Sequence, residues 1–239
     1  MRILGRLAAT ALAVLCLMTT AACTGSGDTP SPTQSATTAP SAEQRLAAAK
    51  AKVDAAPSVH LGLASKDLPE GSNGIISGDG WGAHPPAFKG TFKVRLAGIE
   101  GDAEITSVDG AVYAKLPFVP GTREVDPASL GLPDPATLFS PDAGLTSLMT
   151  KTISPTIAGQ VRAGSEVLTT ITGTIPGAAV VDLFKIGDRN GTFDVTYGLT
   201  DGDELRQVTL TGPFFGAGTS SSYVLTLDQY GQPVTITAP

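Results

Sequence analysis

The segment Phe88–Leu96 reads Phe-Lys-Gly-Thr-Phe-Lys-Val-Arg-Leu. Phe88, Gly90, Phe92, Val94 and Leu96 alternate with Lys89, Thr91, Lys93 and Arg95. A period of two sends the first set to one face and the second to the other. The segment is therefore a half-buried antiparallel strand with one wet side. It cannot be an amphipathic helix, whose apolar residues recur with a period near 3.6. The same style governs most of the chain. Val59, Leu61 and Leu63 alternate with His60 and Gly62. Ala103–Val108 and Ala111–Leu116 flank Asp109-Gly110, the strongest short hairpin signal. Val167–Ile175, Phe193–Leu199, Leu205–Thr211, Ser222–Leu227 and Val234–Ile236 continue the series, with Asp201-Gly202-Asp203 turning one strand into the next. The 29 threonines suit a chain rich in sheet.

Helices interrupt the strands. Ser41-Ala42-Glu43-Gln44 is a capping box, and the helix it starts ends before Pro57. Leu46, Ala49 and Val53 share one face of that helix, a thin stripe rich in alanine, so the helix lies close on something flat. Ser140-Pro141-Asp142 reads as an N-cap with proline at the first helical position, and Leu145, Leu148 and Met149 follow on one face. Asp134–Phe139 adds a turn of helix upstream, and Gly177–Phe184 is a short apolar helix. Gly78-x-Gly80-x-Gly82 reads as a turn around Trp81. No repeat of fixed period occurs. The expected class is α+β: one domain over residues 41–239, a large antiparallel sheet with three or four helices on one face.

The N-terminus reads as an address. Arg2 and Arg6 precede an uncharged apolar run, Leu7–Met18, too short to span a bilayer as a helix and suited to a signal-peptide core. Thr19-Thr20-Ala21-Ala22-Cys23 resembles a bacterial lipobox, with Thr20 where leucine is usual. Residues 1–22 are then a lipoprotein signal peptide, and Cys23 carries two acyl chains or three. The alternative is ordinary cleavage nearby, leaving a free thiol. Cys16 lies in the discarded piece, so Cys23 would be the lone thiol of the exported chain, which favours its modification. Two chains give lasting attachment where one is marginal. Thr24–Pro40 is small, polar and proline-containing, so residues 23–40 form a disordered tether whose flexible part reaches about 23 Å.

Cleavage corrects the composition. Loss of Arg2 and Arg6 takes the formal charge from −6 to −8, and the 41% hydrophobic content falls to about 38%. An acidic chain lacks the basic footprint of a nucleic-acid partner. The two histidines, His60 and His84, sit in different settings with no thiol beside them, so no metal site is expected. No H-E-x-x-H, G-x-S-x-G, P-loop or dinucleotide fingerprint occurs. Glu100, Asp102 and Glu104 alternate as solvated residues of a strand face do. No catalytic residue and no cofactor follow from this pattern.

Several segments together resemble the LppX/LprG/LprA/LprF lipoproteins of actinobacterial envelopes. They are Val108-Asp109-Gly110-Ala111-Val112-Tyr113, Asp126-Pro127, Leu138, Ser140–Leu145, Thr170–Pro176 and Tyr230–Ile236. Two departures mark a divergent member: Phe193–Tyr197 stands where the family has a tryptophan-containing strand, and Tyr230-Gly231 where it has Trp-Gly. The resemblance implies a strongly curved antiparallel half barrel, LolA/LppX-like, with helices over its concave face. It also implies a cavity for acyl chains of a lipid or glycolipid, carriage of that lipid across the envelope, and in some members a neighbouring membrane exporter. The protein would then sit on the outer face of the cell membrane, held by its lipid anchor.

Alternation points Phe92, Val94, Leu96, Ile105, Val112, Ala114 and Leu116 to one face. Leu145, Leu148, Met149, Val180, Val181 and Leu183 would face them from the helices. These residues are the expected lining of a lipid cavity, and an ordinary core would use the same residue types. Two rivals remain: a tethered scaffold for an exporter or sensor, and a hydrolase with an unrecognised site. Several hundred Å³ of continuous apolar void, on the order of known ligand pockets, would favour carriage; a filled interior would favour the scaffold. For the anchor, metabolic labelling with a palmitate analogue should mark the wild-type protein at the membrane. Cys23→Ala should abolish the label and release the protein.

Overall fold

The computed structural model describes residues 39–117, 119–130 and 132–239. The expected signal peptide, Cys23 and all of the tether before Ala39 lie outside the described residues. The chain opens with helix α1 (Ala42–Ala55), followed by strands β1 (Ser58–Lys66), β2 (Gly74–Ala83), β3 (Ala87–Leu96), β4 (Ile99–Val108), β5 (Ala111–Lys115) and β6 (Arg123–Val125). Two 3₁₀ helices, Pro127–Leu130 and Pro135–Phe139, lead to α2 (Ser147–Thr150). Then come β7 (Ile153–Ala163), β8 (Glu166–Pro176), α3 (Gly177–Phe184), β9 (Thr192–Leu199), β10 (Leu205–Gly212) and β11 (Ser221–Asp228).

All 11 strands form one antiparallel sheet in the order β6-β5-β4-β3-β2-β1-β11-β10-β9-β8-β7. The chain starts in the middle, meanders out to β6, crosses through the helical segment to the far edge at β7, and meanders back. The first and last strands meet at the centre, where Leu61 pairs with Leu227 and Leu63 with Leu225. The sheet is curved and does not close, because β6 and β7 remain edges. The helices pack on its concave face.

Local chemistry accounts for the elements. The Ser41 hydroxyl accepts from the Gln44 amide and the Gln44 side chain accepts from the Ser41 amide, so the capping box is complete. Ala42, Leu46, Ala49 and Val53 are the buried stripe of α1. Asp109 and Gly110 both take positive φ, 54° and 78°, which joins β4 to β5 in a two-residue turn matched to sheet twist.

The glycine-rich run 78–82 is strand, not the turn expected. Register puts Gly78, Gly80 and Gly82 opposite Leu63, Leu61 and Val59, on the inner face. The space they leave is filled by rings. A methyl added at Gly82 would sit inside the Phe139 ring, and one at Gly80 would lie 2.7 Å from Phe88. Phe88 stacks on Phe92 at 5.4 Å and on Phe139 at 6.1 Å. A glycine floor thus lets three phenyl rings lie close on the sheet. Two further expectations change: Val234–Ile236 is not strand, and the helix expected from Ser140 shrinks to Ser147–Thr150 after a run of turns. Ile153–Ala163, for which the sequence pointed to no element, is a long strand.

On the outer face, His60 spans the central seam. Its Nδ1 lies 2.8 Å from Asp228 of β11 and its Nε2 lies 3.1 Å from Asp79 of β2. Trp81 packs against the ring at 5.0 Å between centroids. Partial burial pulls the imidazole pKa down, but the hydrogen bonds and charges of the two carboxylates outweigh it, so His60 sits above its ordinary 6.5.

Two predictions follow from this packing. Gly82→Ala should cost about 2 kcal/mol or more in denaturant unfolding, because overpacking a ring contact forces a shift. A raised histidine pKa stabilises the fold fully below the unfolded value of 6.5 and loses that contribution as pH rises through the folded value. Wild type should therefore exceed His60→Asn in stability at pH 5.5 by up to about 1 kcal/mol, with the gap closing by pH 9.

Candidate functional site

Between the sheet and its helical cover lies an enclosed cavity of about 40 Å³. Its floor is the inner face of the second half-sheet: Val195 and Tyr197 of β9, Val208 and Leu210 of β10, Leu225 and Leu227 of β11. Its roof is Leu138 and Phe139 of the 3₁₀ helix, Leu145, Leu148 and Met149 around α2, and Phe184 of α3. Asp54, His84 and Thr146 also border it, but most lining side chains are aliphatic or aromatic, so the space disfavours water. Its volume is well below the ~300 Å³ at which small-molecule pockets begin.

Tyr197 is the main polar side chain of the floor. Burial pushes its phenol up to about 12, against the opposing effect of its 2.9 Å hydrogen bond with Thr152. The phenol stays neutral in the physiological range, and its oxygen is already partnered. At the border of the same space the Thr146 hydroxyl donates to Asp54 at 2.7 Å, and His84 lines it as well.

The cover is tied down at both ends. Lys50 of α1 bonds Asp54 and the Pro141 carbonyl, both at 2.5 Å, and Asp54 accepts from Thr146 at 2.7 Å. Asp134 caps the 3₁₀ helix through the Ala136 amide at 2.9 Å and accepts from Ser107 of β4. Between these ties the Ser147 hydroxyl is buried with no partner, alone among the described side chains.

A second, more open cleft of about 800 Å³ lies on the other side of this cover. Val112, Val125, Leu132 and Leu183 give it an apolar side, and Glu124, Asp126, Asp182 and Lys185 a polar one. The segment Thr137–Phe139 and the residues Leu183 and Phe184 separate the cleft from the enclosed cavity. Thr137 and Leu183 face the cleft, while Leu138, Phe139 and Phe184 face the cavity.

Of the residues expected to line a cavity, Leu145, Leu148 and Met149 do line the enclosed one, and Val112 and Leu183 line the cleft. The strand residues do share one face as expected: Ile105 pairs with Gly90 and Ala114, Phe92 with Ala103, and Leu96 with Ile99. That face belongs to the first half-sheet, however, and the enclosed cavity lies over the second. Phe92, Val94, Ile105 and Leu116 are half-buried, Ala114 is buried, and Leu96 is 52% exposed at a strand end. Val180 is fully buried and Val181 half-buried in α3, and neither borders either space. The phenyl rings on the glycine floor occupy the room a cavity over the first half would need. The missed residues of β9, β10 and β11 show the same alternation in the sequence, so their inward set was readable. Which half the cover leaves unfilled was not.

An open antiparallel half barrel, with helices closing over an apolar interior, defines the LppX-like class of fold. Within that class the chain belongs to the LppX_LprAFG lipoprotein family, whose profile matches residues 41–236. It is similar to the lipoarabinomannan carrier protein LprG of Mycobacterium tuberculosis, 26% identical over 203 residues, covering 84% of this chain and 83% of that one. Two crystal structures share the fold. LprF from Mycobacterium bovis superposes with a TM-score of 0.68 at 21% identity, over 83% of this chain and 96% of LprF. LppX from Mycobacterium tuberculosis gives 0.62 at 18% identity, over 82% and 98%.

Proposed function

We propose that this domain is a non-enzymatic lipid carrier that holds acyl chains of a lipid or glycolipid between the concave sheet and its helical cover. The observation that carries the reading is the apolar lining of the enclosed cavity beneath the helical cover. The name of the relative LprG points the same way. Acyl chains need dispersion contacts and exclusion of water, which this lining supplies. Loading a chain requires the enclosed volume to grow at least severalfold. The wall formed by Leu138, Phe139 and Phe184 is the part whose displacement would join the cavity to the neighbouring cleft. The unpartnered Ser147 hydroxyl marks the cover as its least completely satisfied part. Leu145, Leu148 and Met149 would then contact the chain. Phe92, Val94, Leu96, Ile105, Val112, Ala114, Leu116, Val180, Val181 and Leu183 would serve a longer or second chain or pack around it.

In this reading Cys23 anchors the protein to the outer face of the cell membrane, and a membrane exporter would be a partner. Among the described residues no helix is long and apolar enough to cross a membrane. One observation favours a second reading: an enclosed volume of only about 40 Å³ suits a tethered scaffold with a packed interior. Lipid extraction and mass spectrometry on the purified protein, with uptake of a fluorescent phospholipid, separate the two. The carrier reading expects bound lipid and uptake. It also expects Leu210→Trp, which fills the cavity, to reduce uptake about tenfold with the fold intact by circular dichroism. Empty protein that takes up nothing would leave the scaffold.

A further inference from the structure

The inner face of β3 carries a gradient of exposure. Phe88 is 1% exposed, Phe92 and Val94 are half-buried, and Leu96 is 52% exposed. Leu96 pairs directly with Ile99 of β4, which is 60% exposed, the highest value among the exposed large apolar residues of the described chain. The two side chains sit at the apex of a hairpin whose turn is only Ala97-Gly98, both at positive φ, 49° and 79°. A hydrogen bond of 2.7 Å from the Ala97 amide to the Asn73 side chain braces the apex against the β1–β2 loop. An apolar pair is thus presented firmly on a narrow protrusion, and the row behind it runs without a polar break into the aromatic stack over the glycine floor.

We propose that this hairpin apex docks into a lipid bilayer, with Leu96 and Ile99 entering the acyl region. The shape favours lipid over protein, because a two-residue wedge enters a fluid phase without a matching pocket. Charge agrees. Lys93 and Arg95 behind the apex share the one carboxylate of Glu100, at 3.5 and 2.8 Å, so the three leave a single positive charge at the base of the wedge, which an anionic lipid surface accepts. Continuity with the interior also agrees, since a chain sliding along Phe92 and Val94 would pass from bilayer to cover without crossing water. The proposal rests on the carrier reading for this last purpose and on the Cys23 anchor for proximity.

Reach is sufficient. Arg45, one turn into α1, is bonded to Asp203 in the β9–β10 turn, which the register places at the end of the sheet opposite the apex. The ten-residue strand between the two ends spans about 33 Å. The 17 tether residues extend to at most about 58 Å. The anchored domain can therefore bring its apex down to the same membrane.

The test uses the intact acylated protein reconstituted in phosphatidylcholine–phosphatidylglycerol vesicles, with an environment-sensitive fluorophore on Ala97→Cys. A second protein carries the fluorophore on Asp201→Cys, at the opposite end. The expected result is blue-shifted emission, quenched by doxyl-labelled lipids, at the first position and not at the second. It should weaken only slightly with salt, since a single net charge is used and the apolar contact dominates. Adding Leu96→Asp and Ile99→Asp should lower the quenched fraction about tenfold, the order expected for withdrawing two half-exposed aliphatic side chains. Both changes lie at exposed strand ends flanking the turn, and circular dichroism checks folding. Emission from Ala97→Cys that stays aqueous on pure lipid overturns the proposal, including the case where shielding appears only on adding a membrane-protein partner. Lipid extracted from the same preparations separates the two claims. A docked apex on an empty protein sinks carriage alone, and bound lipid with an aqueous apex sinks docking alone. A second fluorophore at Cys23 would show that the anchor is missing.

Discussion

The pairing of β1 with β11 sets the rest of the structure. His60 lies opposite Asp228 although 168 residues separate them, so the two ends of the domain must meet before the sheet has a centre. Loop closure over that distance is costly in chain entropy and has to be recovered in the seam. Leu61, Leu63, Leu225 and Leu227 bury the inner side of the seam, and His60 with its two aspartates bridges the outer side. Once the ends are joined at the middle, both meanders grow outward and their last strands cannot find each other. An open half barrel is the geometric result. The helical segment between the edges has to cross the concave face, and so becomes the cover.

The two halves then divide the work differently. The first half is floored with glycine at alternate inner positions of β2, and Phe88, Phe92 and Phe139 fill the space this leaves. The second half presents ordinary aliphatic residues and Tyr197, and the cover above it meets them less completely. The unfilled space therefore lies over β9, β10 and β11. On the proposed carrier reading the acidic balance of the chain fits a grip on tails rather than phosphates, because neither lysine nor arginine lines the cavity.

Much of the fold was legible in the sequence because period-two alternation survives wherever one face is wet and the other buried. Phe88–Leu96, the Asp109-Gly110 hairpin and the Ser41 capping box are cases in which local chemistry and final structure agree. β7 escaped notice because its residues are exposed on both faces, with two register shifts in its pairing, so burial imposes no alternation on it. The glycine run 78–82 misled for a related reason. Alternate glycines signal a turn locally, and only the rings of Phe88 and Phe92 on the next strand and of Phe139 from the cover explain why a strand tolerates them. The candidate site was legible in type but not in place. Aliphatic residues on inner faces were identifiable, whereas the half left unfilled depends on how the segment 134–150 packs, a tertiary outcome with no local signature.

The most direct measurement is the position of a guest chain inside the protein. Methyl-labelled protein can be titrated with a fatty acid carrying a nitroxide near its tail end and followed by NMR. Carriage predicts selective broadening of methyl signals from Leu148, Met149, Leu210 and Leu225, which line the enclosed cavity. Broadening confined to exposed Leu96, Ile99 and Ile153, with the cavity methyls unchanged, would contradict it.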